Sequence, residues 1–374
     1  MLAGFATIEG TARYRDRFPQ LRDAGHFRRP ECTSGGGQLW LSSIGLGTYL
    51  GEPDDVTDSA YTEAIVTALR SGINVLDTAI NYRHQRSERN IGAALRQLID
   101  AGKLQRDEVL VCTKAGYLSF DGSMPADPRG YFRCEYVEPG ILDPQQLAGG
   151  MHCMTPRFLE NQIERSCHNL GLHTIDLFYV HNPESQLADV PHDVFRRRLK
   201  DAFITLERAV KEGRIRCYGV ATWNAFRVAE GTRDYINLFE AADIAREAGG
   251  DHHHFQFVQL PFNLAMPEGY GLANQTHAKE KMSVLTAASR LGIVVMGSAT
   301  LHQGQLTHGL PDFIGKILGM KNDAGNAIQF SRSAPGVTTA LIGMGHKEHV
   351  VANLQATFVP PATPEEWVKL FIQR

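Results

Sequence analysis

Eight short apolar runs, rich in β-branched residues, recur along the chain and alternate with longer stretches of helical periodicity. They are Leu41–Gly45, Asn74–Asp77, Val109–Lys114, Ile175–His181, Ile215–Ala221, Phe255–Gln259, Ile293–Gly297 and Thr339–Gly343. Most of their ends lie roughly 33 to 45 residues apart, the length of one strand-plus-helix unit. Eight such units in alternation predict an α/β chain closed into a (β/α)8 TIM barrel. A length of 374 residues would otherwise suggest two or three domains. The regular spacing instead predicts one barrel domain over residues 38–358, after an N-terminal extension (1–37) and before a C-terminal tail (359–374).

The helical stretches carry their own signals. Asp58–Ser71 opens on a capping Asp and places Ala60, Ala64, Ile65, Ala68 and Leu69 on one face. Ser87 precedes another apolar stripe as a candidate cap, and Val194–Glu212 and Lys281–Leu291 read alike. Gly72 and Gly292 fall where a helix ends and a left-handed residue is wanted. One spacing breaks the rhythm. Between the third and fourth strands lie roughly 30 surplus residues, about 116–152, an insertion predicted to leave the C-terminal face of the barrel and overhang its mouth.

A doubly wound dinucleotide fold is the rival. Gly45 and Gly47 begin the required pattern, but Leu50 holds the place of its third glycine and Gly51 comes one residue late. Net charge is −3 with both signs mixed, so nothing favours nucleic acid or an acidic membrane as partner. No apolar run reaches transmembrane length, and the N-terminus lacks a secretory pattern. The six cysteines form no C-x-x-C pair, so reduced thiols and a cytoplasmic location are expected, with Cys112 and Cys217 in the core.

Four polar residues stand at or just beyond three successive strand ends: Asp77, Tyr82, Lys114 and His181. Strand tips of a parallel barrel converge on one opening, so these side chains can meet. Their chemistry is complementary. An ammonium lowers the pKa of a neighbouring phenol, and a carboxylate holds that ammonium charged. A neutral imidazole can donate to a carbonyl oxygen. The set suits proton delivery to a developing alkoxide. None of the four supplies hydride, so a nicotinamide cofactor is implied.

The segments that carry these residues, GLGTYLG, DTAINYRHQRSERNIGAAL, CTKAG and YVHNPE, resemble the aldo-keto reductases. The resemblance continues through YGVATWN, VQLPFNL, VMGSATLHQGQLT and TTALIGMGHKEHVVANLQA, over about residues 38–358. It implies NADP(H), rather than NAD(H), reduction of an aldehyde or ketone, with Tyr82 as general acid in a tetrad with Asp77, Lys114 and His181. It further implies cofactor contacts from Gly47, Thr48 and Tyr49 beside the nicotinamide, from Asp77, Thr222, Gln259 and Ser298, and from Gly343, Met344, Lys347, His349 and Asn353 towards the adenosine. Some positions depart from the family pattern. Ala221-Thr222 replaces a Ser-Asn pair, Gly297 stands where an aromatic stacks, and Met344 stands where a basic residue meets the 2′-phosphate. Lys347, His346, Arg332 and His349 are the nearby alternatives. The same residues leave room for a cofactor-binding partner subunit, or for redox-neutral dehydration or epimerisation. The expected partner is a small carbonyl or alcohol substrate, an aromatic one if the insertion grips it.

Other features read as structural. Asp251-His252-His253-His254 would alternate faces in a strand and so cannot share a metal ion easily, and His152, Cys153, Cys134 and His168 fit no zinc spacing. Arg196-Arg197-Arg198 reads as a wet helix face. Trp223 is a candidate wall of the substrate pocket. Tyr117, Phe120, Tyr131, Phe132 and Tyr136 make the insertion either an aromatic lid or a self-packed loop.

Overall fold

The computed structural model describes residues 1–30 and 38–372; Cys32 and the Gly35–Gly37 run lie outside them. Eight parallel strands close into a barrel: β1 (Ile44–Gly47), β2 (Val75–Asp77), β3 (Leu110–Ala115), β4 (Ile175–His181), β5 (Ile215–Ala221), β6 (Phe255–Pro261), β7 (Val294–Ser298) and β8 (Val337–Gly343). Sequential strands are neighbours, and β8 closes on β1 with Ala340 opposite Ile44 and Gly343 opposite Gly47. Eight helices follow the strands in turn: α1 (Asp55–Arg70), α2 (Arg86–Asp100), α3 (Pro156–Leu170), α4 (His192–Lys211), α5 (Leu238–Gly249), α6 (Val284–Leu291), α7 (Asp323–Ser333) and α8 (Lys347–Leu354). The strands are buried on both sides, as helices packed around a parallel barrel require.

Local details differ from the sequence expectations in instructive ways. The run at 41–45 is two elements. Leu41–Ser42 pairs antiparallel with Phe27–Arg28 outside the barrel, and β1 starts only at Ile44. Helix α1 begins at Asp55, where Asp54 accepts from the Thr57 amide at 2.7 Å, so Asp58 lies inside the helix. Ser87 caps nothing; its hydroxyl donates to the Thr48 carbonyl at 2.8 Å, joining α2 to the loop after β1. Lys281 belongs to a hairpin of Gln275–His277 with Glu280–Met282, and α6 begins after the Ser283 cap. Gly72 and Gly292 adopt φ of 104° and 65°, the left-handed region expected of them.

Both flanking segments pack against the barrel. A helix over Ile8–Asp16 buries Tyr14, whose hydroxyl donates to the carbonyls of Leu69 and Ile73. The helix Pro364–Ile372 buries Trp367 against Phe330 and Phe371, with its indole N–H donating to the Phe330 carbonyl at 2.8 Å. At the barrel base Asp176 is the common anchor. One carboxylate oxygen accepts from the Ala6 amide at 2.6 Å; the other accepts from Val111 and from Arg106 at 2.6 Å. Removing it strands a buried guanidinium and two amides. Asp176→Ala should therefore destabilise the fold by about 3 kcal/mol, read as a lowered urea midpoint; an unmoved midpoint would refute the anchor.

Candidate active site

The strand ends place the chemistry. β2 stops at Asp77, Lys114 is the penultimate residue of β3, and His181 ends β4. The Lys114 ammonium lies 2.6 Å from one Asp77 oxygen and donates to the Thr78 carbonyl at 2.8 Å. The other Asp77 oxygen accepts from Gln259 on β6 at 2.8 Å. Both carboxylate oxygens are thus engaged, and Lys114 is fully buried. Its ammonium sits 5.0 Å from the centre of the Tyr82 ring. The Tyr82 ring meets Tyr49 edge-on at 5.0 Å and His181 at 5.8 Å.

Tyr82 is not on a strand; a strained turn holds it. The next three residues, Arg83, His84 and Gln85, all have positive φ (48°, 54° and 70°). Left-handed backbone costs a non-glycine residue about 1 to 2 kcal/mol each, so surrounding contacts must enforce it. Arg83 supplies several: it donates to the Glu52 carbonyl, to Asn90 and to Asp58, and its side chain is almost wholly buried. Gln85 donates to the Phe120 carbonyl, and the Gly122 amide donates to the His84 carbonyl. Those partners lie in the insertion.

This defines what the insertion does. It rises on the C-terminal face but stands beside the mouth: no described residue of 116–152 lines the groove. Phe120, Tyr131, Phe132 and Tyr136 pack on one another and on Phe158 of α3, because clustered rings bury more apolar surface than a solvated lid would. Tyr117 is the exception. Its ring stands edge-on to His181 at 5.3 Å and to His152 at 5.0 Å. Behind it, the His152 Nε2–H donates to the His181 carbonyl at 2.7 Å while Nδ1 accepts from Gln186. Arg198 in turn holds Gln186, so one arginine of the triplet serves the site's support. His254 pairs with Glu207 at the base of the barrel.

A groove of about 820 Å³ opens over these residues. Tyr82, His181, Asp77, Gly47, Thr48, Tyr49, Thr222, Gln259, Ser298, Gly343, His349 and Asn353 line it, as does the half-exposed Trp223. Lys114 lies beneath it. Two expected contacts fall elsewhere. Met344 is fully buried in the core cluster and does not line the groove. Lys347 lies outside the lining and pairs with Glu63 of α1 at 2.6 Å. Arg332 is enclosed by Ser43, Gln329 and the Ala356 and Val359 carbonyls. Sequence reasoning assigned no role to Glu184, which is buried and accepts from the Trp223 and Asn224 amides, shaping the loop after β5. Its place in the quoted YVHNPE run was the available signal.

The electrostatics follow from burial. Burial raises the Tyr82 pKa above its ordinary value although Lys114 pulls it down, so the phenol is the resting form. Burial disfavours the Lys114 ammonium, yet Asp77 and Tyr82 outweigh that and its pKa rises. Burial, Lys114 and His152 together press the His181 pKa well below its ordinary value, so the imidazole is neutral. Its Nδ1 is buried without a partner. The sequence expectation was a phenol acidified by Lys114; the structure shows burial to be the larger influence.

The aldo/keto reductase family model matches residues 43–312, most of the chain and all four of these residues. The chain belongs to the aldo/keto reductase family. It is 27% identical over 197 residues to the NADH-specific methylglyoxal reductase of Escherichia coli, covering 51% of this chain and 52% of that protein. It is 27% identical over 179 residues to D-threo-aldose 1-dehydrogenase of Pseudomonas sp, covering 48% and 49%. The chain thus matches about half the length of these curated relatives. Among solved structures, the aldo/keto reductase of Klebsiella pneumoniae in complex with NADP and acetate superposes with a TM-score of 0.60 at 21% identity, over 92% of this chain and 97% of that one. This likeness supports the (β/α)8 fold, and no described helix is long and apolar enough to cross a membrane.

Proposed function

We propose that the chain is a nicotinamide-dependent carbonyl oxidoreductase, reducing an aldehyde or ketone to an alcohol in a reversible reaction. The observation that carries this is the buried Lys114–Asp77 pair, 2.6 Å apart, beneath the Tyr82 ring at the floor of a groove that His181 also faces. A substrate carbonyl oxygen enters between Tyr82 and His181. Neutral His181 donates an N–H to it and orients it. Tyr82 delivers its proton to the oxygen as negative charge develops there. Lys114, kept charged by Asp77, stabilises the phenolate that remains. A bound nicotinamide dinucleotide supplies the hydride. Gly47, Thr48, Gln259, Thr222 and Ser298, which line the groove, would hold its reactive half, and Gly343, His349 and Asn353 its adenosine half. An imidazole nitrogen buried without a partner fits a site completed by a ligand. The five described cysteines are free thiols, which suits the cytoplasmic location proposed here.

Turnover of small aldehydes with dinucleotide deuterated at nicotinamide C4 tests the reading. Deuterium in the product alcohol supports it. Product without label would point to dehydration or epimerisation, and tight dinucleotide binding without turnover would point to a partner subunit. The pH profile follows from the two pKa directions. With Tyr82 raised and His181 lowered, neither titrates near neutrality, so kcat for reduction should stay level from about pH 6 to 9. It should fall only where Tyr82 loses its proton. A limb near pH 6.5 in the kcat profile would contradict a neutral His181.

A further inference from the structure

We infer that the groove selects a dinucleotide with a free 2′-hydroxyl on its adenosine ribose, so that the chain binds NAD(H) in preference to NADP(H). This rests on the reading above that the groove holds a nicotinamide dinucleotide. The groove has two ends. One is at Tyr82 and His181; the other is against the start of α8, at Gly345, His346, His349 and Asn353. A nicotinamide at the reacting end leaves the second end for the adenosine.

Among the described residues, no lysine or arginine lines any part of this groove. Its carboxylates are Asp77, already paired with Lys114, and Glu52. Glu52 belongs to the α8 end. Tyr61 lies within about 3.5 Å of where a Cβ would stand on both Gly51 and Gly345, so the two backbones share one ring. Three cations near that end are engaged elsewhere. Lys347 pairs with Glu63 at 2.6 Å. Arg83 is buried against the Glu52 carbonyl, Asn90 and Asp58. Arg332 is fully buried among Ser43, Gln329 and two carbonyls.

A 2′-phosphate adds close to two negative charges, about −1.5 to −2 at neutral pH. Proteins meet such a group with an arginine fork or a lysine. Here it would enter a groove that offers neither and that has the acidic Glu52 among its lining residues. A 2′-hydroxyl adds no charge and can donate to a carboxylate, the pairing found where proteins hold the unphosphorylated ribose. The discrimination therefore lies in what the α8 end lacks and in the sign of Glu52.

The test is equilibrium titration of the full chain with NADH and with NADPH, followed by the fluorescence of the groove tryptophan, Trp223, or by calorimetry. NADH should bind about tenfold tighter or more, roughly the worth of one charge-assisted hydrogen bond. The gap should narrow as salt is raised, because screening weakens repulsion. His346→Arg, its fold checked by circular dichroism, should strengthen NADPH binding about tenfold while leaving NADH within about threefold. Equal or tighter binding of NADPH by the unaltered chain overturns the inference alone. Binding of neither dinucleotide overturns the reading it rests on as well. Preferential NADH binding without carbonyl turnover upholds the inference and removes the reductase.

Discussion

Tyr82→Phe is expected to lower kcat for carbonyl reduction by about a thousandfold, while dinucleotide affinity changes by less than about threefold. The substitution removes one hydroxyl and keeps the ring. The edge contacts with Tyr49 at 5.0 Å and His181 at 5.8 Å survive, as does the strained turn at 83–85, which Arg83 and the insertion hold. The Lys114–Asp77 pair does not depend on the hydroxyl either. What disappears is the proposed proton donor to the substrate oxygen. Comparison with Lys114→Met separates chemistry from folding. That change leaves Asp77 buried with one oxygen unpartnered and should cost several kcal/mol of stability besides activity, about 3 to 5 for a broken buried pair. Tyr82→Phe retaining more than a tenth of the wild-type kcat would remove Tyr82 from the proton-transfer step.

Acid should unfold the protein steeply, beginning near pH 6.5. Three histidines are buried and neutral: His26, pushed down to about 3, His152, to about 4, and His181, well below its ordinary value, each chiefly by burial. His26 donates to the Gly72 carbonyl and accepts from Ser43; His152 is held between the His181 carbonyl and Gln186. In the unfolded chain each titrates near 6.5. Below that pH the unfolded state binds about three more protons than the folded one, so stability falls with pH, by up to about 4 kcal/mol per unit. A fold stabilised by about 5 to 15 kcal/mol is then lost by roughly pH 4. The stabilisation is fully present above 6.5 and disappears as pH falls towards the folded-state values. Urea midpoints measured from pH 7.5 to 4.5 give the slope, and His152→Gln should reduce it by about one proton. A flat dependence over that range would mean that these histidines are already charged in the folded protein.

The barrel was legible because its signal is periodic. A strand buried on both faces must be an apolar run, and a parallel neighbour requires a crossover of nearly constant length. Asp77, Lys114 and His181 were legible for the same reason: they end such runs, and the ends of parallel strands share one face. Tyr82 was found by its spacing from Asp77, but nothing local foretold three consecutive left-handed residues after it. Those are enforced by Arg83, Gln85 and backbone groups of the insertion, partners distant in sequence. The insertion's aromatics were visible, but not their direction, because rings can pack on each other or on a ligand with similar burial. Met344 and Lys347 show the same limit at the other end of the groove.

By itself, then, the sequence determined the strand count, the barrel, the convergence of four polar residues and, through the motifs that carry them, the family. Such properties depend on local pattern and on topology. The tertiary structure decided the protonation states, since burial outweighs Lys114 at Tyr82 and silences His181. It also decided that the insertion buttresses the tyrosine turn, and that among the described residues no arginine or lysine lines the groove, Lys347, Arg83 and Arg332 having partners elsewhere. These depend on which groups water can reach and on which partner each charge has found, and both are set by contacts between residues far apart in the chain.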